Sequence, residues 1–256
     1  MIYTKSAFFY NHVVTSTNNI FIINKGASDI EVAVETGTFS FTQFAIKVVN
    51  ALNSTGDNAY TISINRTTRK ITITSDANFD MLYSSRPTNS LFNLLGFTAD
   101  QTGSDSYEGD STSGDVYYPQ FKLQSSKPFR DNKSFLQGKV NESASGIPEI
   151  VSFGELRVMD MNLTFITNEA QRFDSPIEEN LSGVEDARSF MEFCINKSYL
   201  EFMEDRENPN TYYTVMLDKT SDSSDGIGYT LKNLASRKLP KYYETGKITF
   251  RNIDTI

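Results

Sequence analysis

The segment GTFSFTQFAIKVVNALN, residues 37–53, predicts the main element of the N-terminal half. Ser40 and Gln43 have the Ser-x-x-Gln spacing of a capping box, in which two side chains satisfy backbone amides at the start of a helix. Apolar residues then recur at intervals of three and four, at Phe41, Phe44, Ala45, Val48, Val49 and Leu52. Because this spacing places them on one face, we expect an amphipathic helix that packs on a sheet.

Strand patterns lie on both sides of this predicted helix. Residues 20–23 (IFII) and 30–35 (IEVAVE) flank a polar turn, which predicts a hairpin. After the helix, apolar and polar residues alternate in residues 60–64 and again in residues 71–73. We therefore expect a second antiparallel hairpin there.

The segment SLFNLLGF, residues 90–97, predicts a single helical turn that ends at Gly96 in the C′ position. The polar, acidic and glycine-containing residues 98–114 follow it. We expect a long exposed loop there, and another at residues 218–229. At least one of the two loops, 98–116 and 218–229, should become ordered only against a neighbouring chain.

The second half is richer in strand patterns. Residues 150–154 and 156–166 predict two strands that pair with each other, with a bulge at Asp160 and Met161. Residues 212–217 and 247–250 predict late strands. The intervening residues 124–146 have the weakest pattern and predict an irregular connection.

A second helix is predicted from Glu185 to Tyr199, with Phe190, Phe193, Cys194 and Ala187 as candidates for its apolar face. The fold class that follows is α+β, mostly antiparallel β with one main helix in each half. We expect two domains, an N-terminal α+β module at residues 1–120 and a β-rich domain at residues 121–256.

The composition argues against several classes of function. The 256-residue chain has 24 basic and 32 acidic side chains, and its net charge of −8 does not favour nucleic-acid binding. A single cysteine excludes a disulfide framework, and a single histidine leaves little room for histidine-based catalysis. No stretch approaches the roughly 20 apolar residues of a membrane helix. We expect no enzymatic activity, no cofactor, no resident metal, no nucleic-acid partner and no membrane partner.

Each candidate for chemistry also has an ordinary structural explanation. His12 has no acidic residue close to it in the sequence, so we predict a structural role for it. Cys194 is expected to be a small core residue. The acidic runs at residues 100–115 and 222–225 lack the spacing of a calcium loop and are expected to be solvated, although metal binding there stays open.

Aromatic residues are abundant, with 19 Phe and 13 Tyr. In an adjacent pair on a strand one ring faces outward, and outward tyrosines are typical of protein–protein contact surfaces. The interface candidates are Tyr107, Tyr117, Tyr118, Tyr212, Tyr213, Tyr242 and Tyr243.

The ordered motifs between Gly37 and Gly103 resemble a module of virion structural proteins from tailed bacteriophages. They are Gly-Thr-Phe-Ser with a helix ending Val-Val-Asn-Ala-Leu-Asn, the strands that begin at Tyr60 and Lys70, the turn Leu91-Phe-Asn-Leu-Leu-Gly-Phe97, and Asp100-Gln-Thr-Gly103. The second half is more loosely similar to distal-tail, baseplate and tail-tube proteins, through its strand pair, aromatic helix, acidic turn at Glu204-Asp205 and Tyr-rich strand.

This resemblance implies a ring-forming structural protein of the tail or tail tip, without catalytic residues, made in the host cytoplasm and located in the virion. Its partners would be copies of itself and other tail proteins, and its C-terminal half would be a β-sandwich or tail-tube-like domain. Two alternatives stay open. One is a receptor- or carbohydrate-binding virion protein that uses the outward tyrosines, and the other is a cell-wall-degrading glycosidase with two carboxylates.

Overall fold

The chain forms two compact units, seen here in a computed structural model. The N-terminal unit is Phe9–Val116, and the C-terminal unit combines Met1–Phe8 with Tyr117–Ile256. The expected domains were residues 1–120 and 121–256, whereas the structure assigns the first eight residues to the C-terminal unit. The described residues are 6–56, 58–119, 129–135, 139–142, 148–151, 155–167, 184–196, 198–205, 208, 210–220, 231–234 and 239–253.

The first half consists of nine strands and two helices among the described residues. In chain order they are β1 (Ala7–Tyr10), β2 (His12–Val14), β3 (Ile20–Asn24), β4 (Asp29–Ala33), β5 (Gly37–Phe39), α1 (Phe41–Asn53), β6 (Tyr60–Asn65), β7 (Lys70–Met81), α2 (Phe92–Leu95), β8 (Gln101–Glu108) and β9 (Asp115–Tyr117). A single 3-10 turn, Tyr83–Ser85, follows β7.

The N-terminal unit is built on a five-stranded antiparallel sheet of order β4-β3-β7-β6, in which β8 also pairs with β7. β3 and β4 form the first predicted hairpin, with Ile23 opposite Ile30. β6 and β7 form the second, with Ile62 opposite Ile73. Both hairpin predictions are confirmed. β2 and β5 pair separately as a two-stranded sheet.

α1 begins with the predicted capping box. The backbone N–H of Gln43 donates to Ser40 Oγ at 3.3 Å, and the backbone N–H of Ser40 donates to Gln43 Oε1 at 3.1 Å. The apolar face of the helix is buried at Phe41, Phe44, Ala45, Val48 and Leu52. This face closes one continuous core with the inner residues of the sheet and with α2, so the predicted packing is confirmed.

The described elements of the C-terminal unit are mostly strands. They are β10 (Phe129–Phe135), β11 (Lys139–Glu142), β12 (Pro148–Val151), β13 (Glu155–Thr167), α3 (Val184–Ile195), β14 (Leu200–Met203), β15 (Tyr213–Thr220), β16 (Lys232–Leu234) and β17 (Leu239–Asn252). The large sheet has the order β10-β13-β17-β15-β14-β1-β9, with β16 paired to β17. Phe8 lies at its core, and its ring centroid is 4.7 Å from that of Phe202 and 5.1 Å from those of Phe190 and Phe250.

Three expectations for this half are wrong in detail. Residues 124–146 are not simply an irregular connection, because β10 and β11 lie within them and are held by backbone pairing that their polar sequences do not signal. β12 pairs with β11, and β13 pairs with β10 and β17, so the two predicted strands are not partners. The register shifts of β13 against β17 fall between Asn162 and Ile166 rather than at Asp160.

The second helix ends at Ile195, four residues before its predicted end at Tyr199. Its buried face consists of Ala187, Phe190, Met191 and Cys194, whereas Phe193 is only half-buried. The fold class is confirmed: the described chain is α+β and mostly antiparallel, with one main helix in each unit.

Candidate functional site

The Leu-Leu-Gly-Phe turn, residues 94–97, is the most sharply constrained of the motifs that carry the resemblance. α2 ends at Leu95 and is capped by Gly96, which has a φ of +85°, and the N–H of Phe97 donates back to the carbonyl of Phe92 at 3.0 Å. A Cβ on Gly96 would overlap the backbone carbonyl oxygen of Ser111. Glycine is therefore required here both by the left-handed backbone and by the chain that lies over it.

Residues 98–116 are not the exposed loop that their composition predicts. Residues 101–108 form β8, and Tyr107 on this strand packs its ring edge-on against Phe79, with the centroids 5.1 Å apart. The Tyr107 hydroxyl donates to the carbonyl of Phe79 and accepts from the N–H of Ser104, each at 2.7 Å. Backbone pairing with β7, together with the Tyr107 ring and its two hydrogen bonds, thus holds a strand whose other residues are mostly polar.

The cover segment, residues 109–114, then returns across the Leu-Leu-Gly-Phe turn. The N–H of Ser111 donates to the carbonyl of Gly96 at 2.8 Å, and the Ser113 hydroxyl donates to the carbonyl of Leu94 at 2.6 Å. Asp110 accepts from the N–H of Thr98 at 2.9 Å. The cover segment is therefore ordered by its own unit. The other expected loop, residues 218–229, begins in β15, and its residues 221–229 lie outside the described residues.

His12 lies beneath the cover segment with no exposed surface. Its ring stacks on Phe41, with centroids 4.8 Å apart and an interplanar angle of 19°, and it contacts Phe44 at 5.0 Å. Its Nε2 is 3.2 Å from Ser113 Oγ. Burial lowers the pKa of His12 to about 3, so the ring is neutral in the folded protein at neutral pH.

Cys194 is fully buried in the C-terminal unit, as expected for a core cysteine. Burial raises the pKa of its thiol, so the reactive thiolate form is disfavoured. The chain's single histidine and single cysteine are therefore both buried in their neutral forms. Sequence spacing gives no sign of the His12–Ser113 contact, because the two residues are 101 positions apart.

The seven interface candidates divide into two buried and five partly exposed tyrosines. Tyr107 is 7% exposed in the N-terminal unit, and Tyr117 is fully buried and stacks on Phe190 at 4.4 Å in the C-terminal unit. Both therefore pack in a core and do not present an outward ring. The five that retain partly exposed surface are Tyr118, Tyr212, Tyr213, Tyr242 and Tyr243.

The acidic turn after β14 lines an open depression of about 380 Å³, together with two polar residues that follow it. The lining residues are Glu204, Asp205, Asn208 and Thr211. Within the described part of the chain, no group of three or more histidine, cysteine, aspartate or glutamate residues has the arrangement of a metal site. No helix among the described residues is long and apolar enough to cross a membrane.

No family model matches the chain, and no curated protein matches it.

Proposed function

We propose that the chain is a non-enzymatic structural protein of a tailed-phage virion. It occupies the tail or the tail tip, forms a ring of identical subunits and joins neighbouring tail proteins. The protein is made in the host cytoplasm and acts in the particle.

One observation carries this proposal: the motifs that resemble the phage module form a single packed core. Phe44 and Val48 of α1, Ile73 of the hairpin, and Leu95 and Phe97 of the Leu-Leu-Gly-Phe turn all belong to the same buried cluster. Each motif is common by itself, but here the motifs follow one another in the sequence and also pack into one core. This supports the interpretation that they form one module.

The environments of the two residues best suited to nucleophilic or acid–base chemistry support a structural role. A catalytic histidine needs a partner that orients it and access to substrate, and a nucleophilic cysteine needs its thiolate. His12 and Cys194 have no exposed surface, and burial favours the neutral form of each. Neither is available for chemistry in the folded protein.

We assign the proposed contacts between subunits to the C-terminal unit. The five partly exposed interface candidates all belong to it, and tyrosine combines a large apolar ring with a polar hydroxyl that suits protein interfaces. Burial of such rings between neighbouring copies would stabilise a closed ring.

A single sample of the purified full chain distinguishes this role from its rivals. We expect mass photometry to show discrete multiples of the 28.8 kDa subunit that increase with concentration. Glycan arrays should show no binding, and peptidoglycan or polysaccharide should not be cleaved. Glycan binding by a monomer would support the receptor-binding alternative, and turnover would support the glycosidase. Either result would overturn the proposal.

The tyrosines provide a matched pair of variants for the same measurement. Tyr243→Ala removes a partly exposed ring of the C-terminal unit and should weaken self-association. Tyr107→Phe removes a buried hydroxyl in the N-terminal unit and should lower the melting temperature without changing the mass distribution of the folded protein.

A further inference from the structure

The imidazole of His12 is held on both sides by elements that are distant in sequence. Phe41 and Phe44 of α1 contact the ring on one side, and Ser113 bonds to its Nε2. Gly114, with a φ of +66°, packs so closely that a Cβ on it would overlap the Cε1 and Nε2 atoms of the ring. His12 is therefore the point at which the cover segment meets α1.

The hydrogen bonds of Ser113 identify the tautomer of this histidine. The Ser113 hydroxyl has one hydrogen, and it points to the carbonyl of Leu94 at 2.6 Å. The oxygen must therefore accept from His12, whose Nε2 carries the proton at 3.2 Å. Nδ1 is then an unprotonated acceptor, fully buried and without a hydrogen-bond partner among the described residues.

Protonation of Nδ1 would leave a buried cation in this position, which is strongly unfavourable without a paired anion. Five charged side chains lie on the elements around the ring: Lys47 on α1, Arg66 and Arg69 in the turn before β7, and Asp110 and Asp115 at the cover segment and β9. Four of them have partners elsewhere, Lys47 with Glu35, Arg66 with Thr42, Asp110 with Thr98, and Asp115 with Asn11. β5 and α2 contribute no charged residue.

We propose that His12 is an acid-operated latch: protonation of its ring releases the cover segment, residues 109–114, from the Leu-Leu-Gly-Phe turn. The release breaks the Ser113 bridge between His12 and Leu94 and removes the ring from the position against Gly114. The surface of the turn at Gly96, now covered by Ser111, becomes accessible. This device does not depend on the virion role proposed above.

The direction of the pH effect follows from the two states of the ring. Burial lowers the pKa of His12 in the closed state to about 3, whereas the exposed ring of the open state has its ordinary value near 6.5. Between these values the open state binds the proton and the closed state does not, so acid favours opening. The open population should rise about tenfold for each pH unit below 6.5.

Amide hydrogen exchange on the full chain between pH 7 and pH 5 tests the latch. After correction for intrinsic exchange rates, protection of residues 109–114 should fall about 25-fold in total between pH 7 and pH 5, most of it below pH 6, while protection of the β6–β7 hairpin should change much less. The matched control is His12→Gln, whose amide can still donate to Ser113 but does not titrate. An equal fall of protection in this variant would overturn the proposal.

A second readout on the unmodified protein does not depend on that variant being folded. The chain has one histidine, so its imidazole gives a single set of NMR signals. We expect the neutral Nε2–H tautomer in the closed state throughout this pH range. A ring that titrates near pH 6.5 while residues 109–114 stay protected would overturn the latch.

Discussion

Position 114 requires glycine for two reasons, its backbone conformation and its close packing. Its φ of +66° is a conformation that residues with a side chain rarely adopt, and the His12 ring fills the place of a Cβ. Glycine is thus the only residue that lets the cover segment close over His12.

Gly114→Ala should therefore destabilise the N-terminal unit by about 3 kcal/mol, because backbone strain and overlap with His12 add. Gly26→Ala is the matched control, since Gly26 has a φ of +93° but nothing within 4 Å of its Cβ position. The control should cost only about 1 kcal/mol. Denaturant unfolding of both variants measures the difference, and equal costs would refute the close packing of Gly114 on His12.

Val48 tests the packing of α1 from the helix side. It has no exposed surface, so Val48→Asp would bury an unpaired carboxylate and should lower the free energy of unfolding by about 3–5 kcal/mol. Ile46, two residues earlier on the same helix, is 52% exposed, and Ile46→Asp should cost no more than about 0.5 kcal/mol. A Val48→Asp variant that melts at the temperature of the unmodified chain would mean that this face of α1 is not buried.

At the level of elements, the capping box shows how one helix is defined by a few neighbouring residues. We expect Ser40→Ala to cost about 1 kcal/mol, because an amide at the start of α1 loses its acceptor. The double variant with Gln43→Ala should cost less than the sum of the two single changes, since both side chains belong to one box.

The control for this cycle is Ser54→Ala at the exposed end of the same helix, which should change stability by no more than about 0.5 kcal/mol. Thermal melting of the four proteins measures the coupling. Full additivity of Ser40→Ala and Gln43→Ala would show that the two bonds act separately.

Elements with strong local signals are those that the sequence predicts well. The capping box, the apolar stripe of α1 and Gly96 at the end of α2 each depend on residues within one turn of one another, so their patterns are visible in the sequence. The alternating hairpin of residues 60–73 is predicted for the same reason.

Elements held by distant partners are missed. β8 has one large buried side chain, Tyr107, and its polar residues resemble those of a loop. β10 likewise owes its place to pairing with β13, whose residues follow 20 to 32 positions later in the chain, as in Arg130 opposite Asp160. The His12 site is also missed. Ser113 and Gly114 reach it only because β8 and the cover segment bring the chain back to His12, and no short-range pattern in the sequence predicts this.

For the molecule as a whole, we propose different roles for the two units. The N-terminal unit buries its motifs in its own core, and the five interface candidates that are partly exposed lie in the C-terminal unit. In the ring that we propose, the C-terminal unit would provide the contacts between subunits.

We propose that this chain is a ring-forming component of a phage tail, and the virion itself provides the test. The measurement is electron microscopy of virions labelled with gold-bound antibody raised against the purified protein. We expect label confined to one position along the tail, with several particles of gold per virion. Intact virions without label, from a lysate in which the antibody detects the free protein, would refute the proposal.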